Sequence, residues 1–586
     1  MCVATFATWV RAHKVRHFQV FKGNPKEWNQ QFAVVKPSSD DCPWGENTVE
    51  NFDPRDDAPS TGVVRRYHFT IARGKASPDG YEKDVILVNN QFPGPLIEAN
   101  WGDTISVTVF NNITAPEEGT SLHWHGFSQK DTPWYDGVVG ITQCPIPPGT
   151  SLVYEFKADT YGSTWYHAHY ASQYSDGLSG PLIVYGPRHV EYDYDLGPVM
   201  VGDYYHQNYT VVAAEASAST NDFTVYVPAS DNNLINGKNS FNCSLVTDGH
   251  KCTPNAPLPK FHLKKGKTHL LRLINSGAAA MQRFSIDGHK LTIIANDFTP
   301  INPYTVDVVN LGVGQRTDVL VTGLDNPQPS YWMRSTLAMN CTRTLNPYAK
   351  AIVQYNDAPN IMSPNSTAYF LPELNCGNDA LNLTTPIFPI EAELEPDITQ
   401  VIELDLFTNS TGSHIWIMNN QTFRADYSNP LLFAEQAENF TSPPEAEQMI
   451  FDFGKAKTVR IVLNNKYQAA HPMHLHGVNF QVLSEGQGYW DGKAIINPSN
   501  PQRRDTQMLR RYGHMVIQVE SLNPGVWPFH CHIAWHASTG LYMNFVMQKE
   551  DIQDLEVPAS VTDSCKAWDV WEKTNRVGQT DSGLRI

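Results

Sequence analysis

Apolar and polar positions alternate in short runs along the chain, the period of half-buried strands rather than of helices. Three such runs repeat one another, at residues 102–112, 266–275 and 456–465. Each opens at a turn, continues as a half-buried strand and closes on asparagine. Recurrence at this spacing predicts three similar β domains, at about 62–187, 195–358 and 401–556, behind an N-terminal extension over 1–61. Residues 359–400, rich in Pro and Asn, read as a linker. Residues 557–586 read as a tail with one short helical patch at 567–571. Late in the chain the apolar residues 526–529 lead, as a buried strand, into His530, Cys531 and His532. Length agrees, since 586 residues suffice for three or four domains. An aromatic content of 11% with 40 prolines suits a β-rich, loop-rich protein better than a helical one.

The chemistry is concentrated at that late strand. Successive strand side chains point to opposite faces, so Cys531 points one way and His530 and His532 the other. His536 lies close enough to fold back beside Cys531. A thiolate with two imidazoles in a trigonal array, with a weak or absent axial partner, is the electron-transfer geometry copper prefers. Further histidines sit at His471, His474 and His476, at His123 and His125, and at His167 and His169. With 21 His in the chain, roughly one His-x-His would arise by chance, and four occur. A structural zinc site would leave the wiring through Cys531 without purpose, because zinc has no redox chemistry. The second repeat is followed by no such pair, only by Asp287-Gly288-His289, and the second domain therefore reads as a spacer.

These four segments, in this order, resemble the four copper signatures of multicopper oxidases, and within that family the ascomycete laccases. The likeness runs from about Thr61 to the C-terminus, with support at 142–149, 500–506 and 581–584. It implies an all-β fold of three consecutive cupredoxin-like Greek-key β-sandwich domains. It implies four copper ions: a type 1 ion on His471, Cys531 and His536, a type 2 ion on His123 and His474, and a type 3 pair on His125, His167, His169, His476, His530 and His532. Neither outer domain alone has ligands for three ions, so the trinuclear cluster is expected at their interface, wired to the type 1 site through Cys531. Leu541 matches the axial position and cannot ligate. Asp136 matches an acid that relays protons to reduced oxygen; its bland alternative is a turn Asp before Gly137. Asp231 matches the carboxylate that basidiomycete laccases use for substrate, against a turn or cap role, whereas the loop at 276–281 lacks the Glu that ascomycete relatives often place there. The implied reaction is one-electron oxidation of phenols or aromatic amines coupled to reduction of O2 to water, by a monomer. The alternatives are a metal oxidase acting on Fe(II) or Cu(I), for which the 13 methionines form no cluster, and a copper store without turnover.

The net charge of −17 argues against nucleic acid or an anionic membrane as partner, and no run of 18 apolar residues spans a bilayer. Among nine cysteines, the resemblance pairs Cys144 with Cys565 and Cys341 with Cys376; Cys243 and Cys252 can close a short loop, and Cys2 and Cys42 are left over. Secretion is what the family implies, and sequons at Asn112, Asn208, Asn382 and Asn439 lean toward a glycosylated extracellular protein. Met1 to Val10, however, lacks a preceding basic residue and is followed by Arg11, Lys14 and Arg16, the reverse of a secretory signal. The end at Asp581-Ser582-Gly583-Leu584 resembles the mature terminus of ascomycete laccases, a channel plug, with Arg585 and Ile586 open to clipping.

Overall fold

A computed structural model describes residues 43–218, 228–355, 363–372, 376–410, 412–437 and 448–575. The readings on Cys2, Cys42, Met1 to Val10, the Asn439 sequon and the 581–584 plug lie outside these residues. Among the described residues the strands form six sheets, grouped along the chain as two four-stranded, then a six- and a five-stranded, then again a six- and a five-stranded sheet. Successive strands cross between the sheets of a group, giving three sandwiches. The repeated runs occupy one structural place. Thr104–Asn111, Thr268–Asn275 and Thr458–Asn465 each lie parallel to the first long strand of their sandwich, Val64–Ala76, Tyr194–Tyr204 and Ile398–Thr408. Each is also antiparallel to a later strand, Ser151–Lys157, Arg316–Thr322 and Gly513–Glu520. Alternation buries Ile105, Val107 and Val109 in the first copy and Val459, Ile461 and Leu463 in the third.

The cores are not three equal units. One apolar cluster runs through the first and third sandwiches, from Phe69 and Trp124 to Ile461 and Trp527. The second sandwich keeps its own core around Leu273, Phe284 and Val319. The outer sandwiches are thus fused by burial of apolar surface, the dominant favourable term in folding. Residues of the expected linker pack on both neighbours: Arg283 donates to the Pro372 carbonyl at 2.7 Å and Arg503 to the Phe388 carbonyl at 2.6 Å.

The tail helix is longer than the sequence suggests. It covers Ala559–Glu572, starts after Pro558 and buries Val561 and Trp568. Cys565 within it is bonded to Cys144, which ties the tail to the first sandwich. Disulfides also join Cys243 to Cys252 and Cys341 to Cys376. The sequon residues Asn112, Asn208 and Asn382 are exposed. Among the described residues no helix is long and apolar enough to cross a membrane.

Candidate metal centre

One sheet carries chemistry on both faces. Strand Gly525–Cys531 lies between Tyr542–Met547 and His471–Leu475, with Met473 opposite Cys531 and His474 opposite His530. Opposed residues share a face, so alternation puts His471, Met473 and Cys531 on one side and His474 and His530 on the other. On the first face Cys531 Sγ lies 3.6 Å from His471 Nδ1 and 3.5 Å from His536 Nδ1, and the two nitrogens are 3.1 Å apart. His536 reaches this point because the short helix Ala534–Ser538 turns the chain back. Main-chain bonds from Cys531 N to Leu541 O and from Leu541 N to His536 O hold Leu541 beside the triangle. The Trp416 ring lies 4.7 Å from both the His471 and His536 rings.

The second face meets the first sandwich. There His123 on Leu122–Trp124 stands opposite His167 on Gly162–Ala168. Across the interface the ligand atoms gather into groups within 4.8 Å: His125, His167 and His532 in one, His169, His476 and His530 in a second, and His123 with His474 and His125 in a third. Each of these groups draws histidines from both outer sandwiches. A small cavity lined by His167, His169, His530, His532, Val139 and Tyr427 reaches the cluster.

Hydrogen bonds fix how the rings face. His123 donates Nδ1–H to the Asp136 carbonyl at 2.7 Å, His474 to the Asp505 carbonyl at 2.9 Å, His167 to the Ala168 carbonyl at 3.0 Å and His530 to the Cys531 carbonyl at 2.9 Å. His476 donates Nδ1–H to Asp136 Oδ2 at 2.9 Å. Each bond leaves the Nε2 lone pair for the cluster. His125 is turned the other way: Nε2–H donates to Asp505 Oδ1 at 3.0 Å, and Nδ1 lies 3.3 Å from His532 Nε2. Buried Nε2 atoms of His123, His167 and His474 have no partner in the protein. Burial first, then neighbouring rings, holds His125, His167, His169, His476 and His532 well below the ordinary imidazole range, and brings His530 down to about 3. Burial alone brings His536 to about 3. Those seven imidazoles are therefore neutral at pH 7, as metal ligation requires. Converging orphaned nitrogens, with one thiol beside two imidazoles, fit copper better than a hard oxygen-loving ion.

Asp136 is fully buried against this cluster, and its Oδ1 has no hydrogen-bond partner. Asp231 goes elsewhere: its Oδ2 accepts the His206 amide at 2.7 Å, and no described contact joins it to His471, Cys531 or His536. His289 also stands apart, bonded to the Tyr355 hydroxyl. The spacer reading of the second sandwich needs correction, because two of its residues reach the cluster. Arg316 forms a two-pronged pair with Asp505, 2.6 Å on each prong. Gly314, at φ +83°, lies so close that a Cβ would fall 2.7 Å from His532 Cδ2, and only glycine fits there. Neither residue carries a periodic or spacing signal.

Three multicopper oxidase family models match, over residues 70–189, 195–358 and 415–551. The chain is 38% identical to Oxidoreductase OpS5 of Beauveria bassiana, over 94% of this chain and 92% of that one. It is 34% identical to Laccase-2 of Botryotinia fuckeliana, over 96% and 95%. In structure it is similar to the laccase from Botrytis aclada, with a TM-score of 0.85 at 33% identity over 92% of this chain and 98% of that one.

Proposed function

The chain belongs to the multicopper oxidase family, and from that membership we propose that it is a laccase-type enzyme taking single electrons from phenols or aromatic amines and passing them to O2. The observation that carries the reading is the strand Gly525–Cys531 continued to His532, with a thiol on one face and imidazoles on the other. Four phenols and one O2 balance as four phenoxyl radicals and two waters. Copper, when bound, supplies the one-electron redox steps and the four-electron reduction. His471, Cys531 and His536 would hold one type 1 ion, His123 and His474 a type 2 ion, and the two three-histidine groups a type 3 pair. The peptide bonds flanking Cys531 give the electrons a covalent route from thiol to His530 and His532. The disulfides among the described residues support an oxidising compartment and, with the exposed sequons, a secreted, glycosylated protein.

Asp136 is suited to hold a proton for oxygen, since its Oδ1 makes no hydrogen bond and sits among cluster ligands, 3.2 Å from His123 Nδ1. In Asp136→Asn the amide oxygen can still accept from His476, so copper content should hold while O2 consumption falls by roughly a hundredfold. An oxygen electrode with parallel metal analysis checks this, and wild-type uptake would remove Asp136 from the mechanism. Leu541 would offer only hydrocarbon to a type 1 ion. Leu541→Met adds a thioether that stabilises the oxidised ion, so the type 1 midpoint in a redox titration should fall.

The test of the reading is a spectrum of the copper-loaded protein followed by oxygen uptake with a phenol, an aromatic amine and Fe(II). An intense blue band with uptake on the organic donors supports it. Uptake on Fe(II) alone would make the protein a metal oxidase, and copper binding without uptake a store.

A further inference from the structure

The helix that aims His536 does not stand on its own. Ala534–Ser538 is five residues long and has no side-chain cap, far short of what holds as an isolated helix. The first sandwich holds its far end, where the Ser172 and Ser538 hydroxyls meet at 2.6 Å, and the second sandwich holds its start. Asp203, buried at the end of Tyr194–Tyr204, accepts the amides of Ala278 at 2.7 Å and Ala279 at 3.2 Å through its carboxylate. These amides belong to the loop 276–281, which is closed further by Asn275 Nδ2 donating to the Ala280 carbonyl at 3.0 Å. The loop has no slack against the carboxylate: a Cβ on Gly277 would fall 2.2 Å from Asp203 Oδ1. From this loop the Ala278 carbonyl accepts the amide of Ala534, the first residue of the helix, at 2.8 Å. The next residue, Trp535, donates Nε1–H to the Tyr205 hydroxyl at 3.1 Å, and Tyr205 donates onward to the Pro228 carbonyl at 3.2 Å. His536 follows directly.

We propose that Asp203 is a positioning residue for the type 1 site: through the 276–281 loop it fixes the start of the helix and so the placement of the His536 ring against Cys531. The inference rests on reading His471, Cys531 and His536 as a copper site. It gives the acid-free loop a task, since its main chain rather than a side chain acts. It also assigns the second sandwich a part in electron entry, separate from the part Arg316 and Gly314 play at the cluster. A carboxylate suits the place because one anion accepts several amides at once through charge-assisted bonds.

The test compares the copper-loaded wild type with Asp203→Ala, Asp203→Asn and Gly277→Ala by visible absorption, electron paramagnetic resonance, type 1 midpoint potential and separate half-reactions. In Asp203→Ala the type 1 band and hyperfine coupling should shift, and anaerobic reduction by a phenol should slow about tenfold or more, while reoxidation by O2 keeps its wild-type rate. Asp203→Asn keeps one acceptor and should fall between. Gly277→Ala crowds the same contact without removing a charge and should move the same signals; it carries the test if Asp203→Ala does not fold. Adding Gly277→Ala to Asp203→Ala should cost little more, because the carboxylate it would strike is gone. Type 1 spectra and reduction rates unmoved in all variants overturn the proposal, as do equal losses at the type 1 site and the cluster. A wild type without a blue band would instead remove the copper reading beneath it.

Discussion

Serine in place of Cys531 is expected to leave a folded but colourless protein, with oxidation of phenols slower by roughly a thousandfold or more. The thiol is completely buried at the centre of the third sandwich's inner sheet. Burial pushes it far above the ordinary thiol range, so a thiolate exists there only beside a cation. Within the triangle the only neighbours are two imidazole nitrogens at 3.5 and 3.6 Å, and these are neutral. A metal ion bound there would therefore stabilise the thiolate, and a thiolate would favour copper. A serine hydroxyl is close in shape and keeps the strand, but it is a hard donor and does not replace the sulfur. The eight histidines of the outer-domain interface are untouched, so cluster copper should persist. Visible and paramagnetic spectra, metal content and anaerobic reduction by a phenol check the result. A retained blue band, or donor oxidation near the wild-type rate, would show that the sulfur is not the entry point.

Much of this site was legible because strand periodicity writes chemistry into spacing. His530, Cys531 and His532 had to face alternately, and the repeated runs marked which domains carry histidine pairs. His471 falls on the thiol face because it lies an odd number of positions from His474. What could not be read comes from residues that act singly. Arg316 sits in an ordinary strand run and Asp505 beside two arginines, and nothing in either stretch shows that they meet across 189 positions. Gly314 is one of 38 glycines, and its need is set by rings from two other domains. The helix Ala559–Glu572 extends beyond its sequence signal because its first turns carry Ser, Val and Thr, weak helix formers held by Trp568 and the bond at Cys565 rather than by propensity. Asp231 is a motif match whose Oδ2 accepts the His206 amide, a contact that the motif alone does not show.

Arg316→Met is expected to uncouple the two candidate metal sites, lowering the thermal transition by roughly 5–15 °C and lowering copper uptake at the histidine cluster while the Cys531 triangle survives. Arg316 is fully buried where three sandwiches meet. Its guanidinium pairs with Asp505 of the third, donates Nε–H to the Ser163 carbonyl of the first at 3.2 Å, and lies 5.1 Å from the Phe298 ring of its own. Burial opposes a charge on Asp505; Arg316 and then His125 overcome it and hold the carboxyl well below the usual carboxylate range. A depressed carboxyl contributes stability above its unfolded pKa near 3.8, and this is lost only as pH falls through the lower folded value. The effect of the substitution should therefore be full at neutral pH. Methionine fills similar space but leaves a buried carboxylate without its cation, which costs about 3–5 kcal/mol. The same carboxylate accepts Nε2–H of His125, and without its partner it no longer fixes which His125 nitrogen faces the cluster. Adding Asp505→Asn should recover part of the lost transition temperature, because the stranded charge is gone, and the pair should depart from additivity by about 0.5–3 kcal/mol. Scanning calorimetry, copper content and the blue band read the three consequences separately. An unchanged transition with full copper would show that the domains hold the cluster without this ion pair.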